Sequence, residues 1–283
     1  MTFQNVVSVD WLKDHLHDDN LSVIDATFYL PAHQKDAFAE YQRQAIPTAG
    51  FFDLDATKDQ SSSLPHMLPS APDFAGAMQD LGVNTSDRIV VYDQHGLFSA
   101  ARLWWMLKLF GHEQAFVLNG GLPAWLAAGL PVESPRPRTG GAATVGHYVC
   151  NADKRDTWTI DLATLKGNPA LFNDVLDARP ADRFDGAVPE PRAGMRSGHI
   201  PGSTNVPFTD LVQHGHLLPI PQLTDRLAAK ASAQPITSCG SGVTAAILSL
   251  ALVEIGVPMG RLYDGSWADW GREDAGTPVQ TAE

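Results

Sequence analysis

Ser22-Val23-Ile24-Asp25-Ala26-Thr27 returns 152 positions downstream as Asp174-Val175-Leu176-Asp177-Ala178-Arg179, and that recurrence decides how the chain is divided. Two further pairs keep the same order. Ala45-Ile46-Pro47-Thr48-Ala49-Gly50 is echoed by Gly198-His199-Ile200-Pro201-Gly202-Ser203 at an offset of 153. Leu118-Asn119-Gly120-Gly121-Leu122-Pro123-Ala124-Trp125 is echoed by Tyr263-Asp264-Gly265-Ser266-Trp267-Ala268-Asp269-Trp270 at an offset of 145. Such a period is far longer than the ~20–50 residues of a solenoid repeat and suits two copies of one domain. The expected division is residues 1–135, a linker at 136–157 and residues 158–283. Pro131 to Gly146 carries three prolines, three glycines and no apolar periodicity, which is linker composition.

Within each copy, short β-branched runs such as Arg88-Ile89-Val90-Val91-Tyr92 alternate with helical patterns such as Ala100 to Phe110. That alternation predicts an α/β protein of two tandem domains, each a mainly parallel β-sheet flanked by helices. Sites in such folds gather where strands end and helices begin. One residue at such a point carries reactive chemistry. Cys239 follows the extended run Pro235-Ile236-Thr237 and opens Cys239-Gly240-Ser241-Gly242-Val243-Thr244-Ala245, which leads into a helical pattern ending near Ile255. On a strand-to-helix turn, backbone N–H groups and the helix dipole stabilise a thiolate, and small side chains let those amides come close to sulfur.

The equivalent position of the first copy is Asp93, in Val91-Tyr92-Asp93-Gln94-His95-Gly96-Leu97-Phe98-Ser99-Ala100. An aspartate carries no sulfur, so residues 1–135 read as a non-catalytic scaffold that helps to form a cleft. The only other cysteine, Cys150, lies 89 positions from Cys239 with no CxxC spacing, which supports neither a metal site nor a dithiol pair and leaves a disulfide open. His112, His214 and His216 show no ligand spacing, and no metal or cofactor is expected. A net charge of −12 argues against nucleic acid as the main partner, so an anionic substrate needs a local arginine cluster. Met1-Thr2-Phe3-Gln4-Asn5 begins no basic-then-apolar leader and no run reaches the ~18 apolar residues of a membrane span, which makes a cytoplasmic protein without a membrane partner the expectation.

Several separated motifs agree with the Cys239 loop: Arg183-Phe184-Asp185-Gly186, Pro189-Glu190-Pro191-Arg192, Gly198-His199-Ile200-Pro201-Gly202 and Tyr263-Asp264-Gly265-Ser266-Trp267. Together they resemble the two-domain rhodanese family of sulfurtransferases over nearly the whole chain. The loop is similar to that of the mercaptopyruvate-using members, whereas thiosulfate-using members typically place basic residues after the cysteine. The resemblance implies sulfur transfer from 3-mercaptopyruvate to a thiol acceptor, such as thioredoxin or a small thiol, or to cyanide. The sulfur would travel as a Cys239 persulfide in a double displacement that releases pyruvate. It further implies that Arg183 and Arg192 bind the donor, that Gly240, Gly242, Val243 and Thr244 cradle its sulfur, and that Ser241, His66 and Asp55 move protons. Arginine suits the donor carboxylate because its planar fork donates two hydrogen bonds.

Read locally, the same residues have plainer explanations. Arg183 and Arg192 are solvated loop arginines, His66 is a loop residue, Asp55 caps a helix from Ala56 onward, and Arg102 is an exposed helix arginine. Trp104, Trp105, Trp125, Trp267 and Trp270 fall in helical patterns and pack cores or the domain interface. The first copy departs from the family pattern at Ala45-Ile46-Pro47-Thr48-Ala49 and at Phe28, where an indole is common. Three alternatives stand beside the main reading: a thiosulfate sulfurtransferase, a cysteine phosphatase, and a non-enzymatic sulfur-relay or redox-sensing module. The first predicts a basic loop where Gly240 and Ser241 stand, and the second an arginine where Ala245 and Ala246 stand. The third has no need of the arginines or the proton relay. One chain supplies both walls of the cleft, so a monomer suffices.

Overall fold

The computed structural model describes residues 3–135 and 145–282. The first copy contributes β1 (Val6–Val7), β2 (Leu21–Asp25), β3 (Gly50–Phe51), β4 (Arg88–Tyr92) and β5 (Ala115–Leu118), all parallel, in the order β1-β5-β4-β2-β3. The second contributes β6 (Thr159–Ile160), β7 (Val175–Asp177), β8 (Thr204–Asn205), a hairpin of β9 (Val212–Gln213) and β10 (His216–Leu217), then β11 (Ile236–Ser238) and β12 (Arg261–Tyr263). Its sheet runs β6-β12-β11-β7-β8, again all parallel. Exchanging β6, β7, β8, β11 and β12 for β1 to β5 reproduces the first order, so the recurrence in sequence is a recurrence of topology. The protein is α/β with two such domains.

Each sheet is covered on both faces, which is why Ile89 to Tyr92 forms an unbroken buried run rather than an alternating one. The helix after β4, Ala100–Leu109, is buried at every position, and the helix after β11, Ala245–Glu254, at all but Val253. A helix buried on all sides has no solvent face and is apolar at nearly every position, Arg102 and Lys108 being the charged members of the first. These two equivalent helices pack on each other across the boundary between the copies, so one hydrophobic cluster runs from Leu103 and Leu107 to Ile247 and Leu250. Each such buried side chain contributes about 1.5–3 kcal/mol. Arg102 sits on this interface helix, only 1% exposed, which overturns its reading as an exposed helix arginine. The five tryptophans named above are buried in helices or at their ends, as core packing requires.

Of the 136–157 linker, residues 136–144 lie outside the described residues. The part from 145 onward is bonded to the first copy: Thr85 N–H donates to His147 O (2.8 Å), Gln79 Nε2 to Tyr148 O (2.8 Å) and Ala152 N–H to Phe110 O (3.3 Å). No helix starts at Ala56; the Asp53 carboxyl, rather than Asp55, accepts from Asp55 N–H and Ala56 N–H at 2.9 and 3.0 Å. Cys150 and Cys239 are both free thiols, which closes the disulfide alternative. Among the described residues no helix is long and apolar enough to cross a membrane.

Candidate active site

β11 ends at Ser238, and the next residue, Cys239, is delivered to the carboxyl end of the second sheet. Cys239 N–H donates to Ser266 Oγ (3.1 Å), while the carbonyls of Cys239 and Gly240 accept from Trp267 N–H and Ala268 N–H, both at 2.9 Å. With those carbonyls tied back to helix Ser266–Trp270, the N–H groups of Gly240 to Thr244 have no protein acceptor among the described residues. Gly242 makes the turn possible. Its φ is +79°, and an added Cβ would lie 2.9 Å from Asp264 O, so both backbone conformation and space exclude a side chain.

The first copy shows what such a loop holds. Asp93 follows β4 as Cys239 follows β11, and its Oδ2 accepts from Phe98, Ser99 and Ala100 N–H at 2.7, 2.9 and 2.9 Å, while Oδ1 accepts from His95 N–H at 2.9 Å. An acidic side chain therefore fills the amide ring at the foot of the equivalent helix. In the second copy a shorter, sulfur-bearing side chain stands at the same place and the ring is left open to a ligand.

Cys239 is only 2% exposed, but it lines a cavity of about 360 Å³ between the copies. Phe28, Leu30, His33 and Phe98 come from the first copy; Arg183, Arg192, Phe208, Ser241, Val243 and Thr244 join Cys239 and Gly240 from the second. Phe98 and Phe208 meet edge to face at 5.6 Å, one from each domain. Arg183 leans over the loop: a Cβ on Gly240 would lie 3.3 Å from its Nη2. Its guanidinium is held from behind by Glu190, through Nη2–Oε2 at 2.5 Å and Nε–Oε1 at 3.2 Å. Arg192 lines the same cavity; burial and the neighbouring charge of Arg183 lower its pKa, while attraction to Cys239 and Glu190 works against that. The guanidinium groups of Arg183 and Arg192 thus share one cavity with the thiol, and Arg179 also lies in its wall. That is the local positive field the acidic chain needs for an anionic ligand.

Beside the thiol, Ser241 Oγ lies 3.1 Å from His66 Nδ1, and His66 Nε2 lies 3.4 Å from Asp55 Oδ1. The histidine is buried, and desolvation first, then the charges of Arg102 and Arg192, push its pKa down to about 3 despite the Ser241 contact. The ring is therefore neutral near pH 7. With Asp55 at Nε2 the proton belongs on that nitrogen, leaving Nδ1 to accept the Ser241 hydroxyl. Partial burial and Asp53 raise the Asp55 pKa, against Lys58 and Arg192. Phe28 packs edge-on against the imidazole at 4.6 Å.

Cys239, Ser241, Arg183, Arg192, Gly240, Val243 and Thr244 thus border one cavity, His66 and Asp55 stand behind Ser241, and Gly242 turns the loop without lining it. Sequence reasoning gave no role to the support beneath the arginines. Arg179, 1% exposed, is paired with Asp177 (Nη2–Oδ2 2.7 Å) and Glu190 (Nη1–Oε1 3.0 Å) and lies 4.1 Å above the Trp267 ring. Glu190 is shared by Arg179 and Arg183 and fixes where Arg183 points. Glu190 and Arg179 both lie in quoted motifs, but only the folded loops reveal that they share a carboxylate. His199 Nδ1 lies 2.8 Å from Phe184 O, which gives this histidine a part in holding its turn.

A family model described as the Rhodanese-like domain matches residues 8–128 and 161–273. The chain is 41% identical to the 3-mercaptopyruvate sulfurtransferase of Escherichia coli (strain K12), over 97% of both sequences. It is 40% identical to the mitochondrial thiosulfate/3-mercaptopyruvate sulfurtransferase 1 of Arabidopsis thaliana, over 100% of this chain and 79% of the relative. Among solved structures it is similar to SseA from Escherichia coli, with a TM-score of 0.81 and 38% identity over 93% of this chain and 98% of that one.

Proposed function

The chain belongs to the rhodanese family, and from that premise we propose that it is a 3-mercaptopyruvate sulfurtransferase working by double displacement through Cys239. The observation that carries the reading is the cavity itself, where one thiol above an open amide ring faces Arg183 and Arg192. The arginines take the donor carboxylate and carbonyl. The Cys239 thiolate attacks the donor sulfur; an S–S bond forms, the C–S bond breaks, and its electron pair leaves as the enolate of pyruvate. The proton on the transferred sulfur passes through Ser241, assisted by His66, to the enolate carbon, so a persulfide anion and pyruvate result with no net change of charge or protons. The persulfide then rests against the amides of 240–244, as the Asp93 carboxyl rests against its own loop.

In the second half-reaction an acceptor thiolate or cyanide attacks the outer sulfur, the S–S bond breaks and the Cys239 thiolate is regenerated. A protein such as thioredoxin, a small thiol or cyanide fits this step, and the reduced thiols it needs favour a cytoplasmic setting. Thiosulfate is the competing donor, favoured by the double name of the Arabidopsis relative. Initial rates with each donor over a set of acceptors decide between them. The expected result is faster turnover of 3-mercaptopyruvate with one pyruvate released per sulfur transferred, lost in Cys239→Ser; faster turnover of thiosulfate would reverse the assignment.

A further inference from the structure

The cavity, the relay and the donor-site arginines leave several buried charged groups unused, and one of them stands directly behind His66. Arg102, on the interface helix of the first copy, reaches into the second: its Nη2 donates to Asp264 Oδ1 (2.6 Å) and to His66 O (2.8 Å), and its Nη1 to Gly242 O (3.3 Å). Asp264 Oδ2 in turn accepts from Leu68 N–H (2.7 Å). One ion pair therefore grips the His66 segment from both sides and the Cys239 loop at its glycine turn. Its members are 1% and 6% exposed, with the Trp105 ring 4.9 Å beneath the guanidinium. His66 has φ of 56°, a left-handed conformation that persists in a residue with a side chain only where the surroundings impose it.

We propose that the Arg102–Asp264 pair is a positioning device that locks the His66 turn against the Cys239 loop and so aims the imidazole at Ser241 Oγ. Stability alone does not call for such a pair, because apolar residues of similar volume serve a core as well or better. What the pair adds is direction. A guanidinium behind His66 also opposes a second proton on the ring. The groups facing that ring are Asp55 at Nε2, Ser241 at Nδ1, the Phe28 edge, and the charges of Arg102, Arg192 and Lys58. Because Arg102 is held by an opposite charge, the two members act on His66 in opposite senses. This rests on the sulfur-transfer reading for its consequence in turnover, while the effect on the ring can be read without it.

The test is ¹H–¹³C NMR titration of the His66 ring in the full chain, assigned by comparison with His66→Asn, alongside the pH profile of persulfide formation. In wild type and Asp264→Asn the ring stays neutral across the folded range. In Arg102→Gln its pKa rises by about one to three units. The double variant Arg102→Gln/Asp264→Asn, which leaves no unpaired buried charge, falls between wild type and Arg102→Gln. Persulfide formation drops about 100-fold in both Arg102 variants, as misplacement of a reacting group by ~1 Å does, and its acid limb follows the ring. Shifts in the same direction for both single variants, or a folded double variant whose ring and rate match wild type, would overturn the proposal. A ring that shifts in this order while wild type forms no persulfide upholds the positioning role and removes the sulfur-transfer reading instead.

Discussion

At the scale of single residues, Cys239 and Asp93 pose one problem with two answers. Both follow the central strand of a five-stranded sheet, and both stand at the foot of an interface helix. The aspartate satisfies its ring from within, whereas the cysteine leaves room for a second sulfur. Arg192 is the residue that should separate donors. On the proposed reading it meets the carboxylate of 3-mercaptopyruvate, and a charge-assisted hydrogen bond of that kind is worth about 1.5–3 kcal/mol. Arg192→Ala should therefore lower kcat/KM for 3-mercaptopyruvate by about 10- to 100-fold and affect thiosulfate less. Steady-state kinetics with both donors checks this, and equal losses would remove the donor-specific role. Cys239 was legible from its loop of small residues and the repeat from recurring motifs, whereas Arg183 and Arg192 stood out only through the family resemblance. Arg102 was not legible: its partners Gly242 and Asp264 come from loops of the other domain, which no local pattern contains.

At the scale of elements, the segment from Arg179 to Arg192 works as a bracket. Asp177 at the end of β7 and Glu190 in the following loop hold Arg179 between them, and Glu190 then orients Arg183 over Gly240. Replacing one member of a buried ionic group leaves its partner uncompensated, at a cost of about 3–5 kcal/mol. Glu190→Gln should lower the unfolding free energy by an amount of that order and raise KM for 3-mercaptopyruvate more than it lowers kcat, since Arg183 keeps its charge but loses its direction. Denaturant unfolding and initial rates measure the two effects. A variant with unchanged stability and KM would mean that the bracket does not orient the donor site. The strands and the helices after them could be read from β-branched runs and apolar patterns. The bracket could not, because its charges look solvated until the fold buries Arg179 and Glu190 together and sets Arg179 over Trp267.

At the scale of the whole molecule, two copies of one topology meet through equivalent helices, and the cleft between them borrows His66 from one copy and Cys239 from the other. The repeat made this arrangement legible, but not which residues cross the boundary. Burial of a neutral histidine there has a consequence for acid stability. The folded pKa of His66, about 3, lies below the ordinary 6.5, so between these values the unfolded chain binds a proton that the folded chain refuses. Its contribution is complete above pH 6.5 and is lost as pH falls toward 3, amounting to a few kcal/mol at the acid end. Asp25, raised to about 6 mainly by burial, acts in the opposite sense between 3.8 and 6, so the informative comparison is wild type against His66→Asn. Urea unfolding of both at about pH 7 and about pH 4.5 should show a smaller acid loss in the variant; equal losses would mean that His66 is protonated in the fold. The central claim, that sulfur travels on Cys239, has a more direct test. Intact and peptide mass spectrometry of the protein after reaction with 3-mercaptopyruvate, with no acceptor added, should find one extra sulfur on Cys239 and one pyruvate released per chain, and Cys239 found unmodified in protein that still turns over would contradict it.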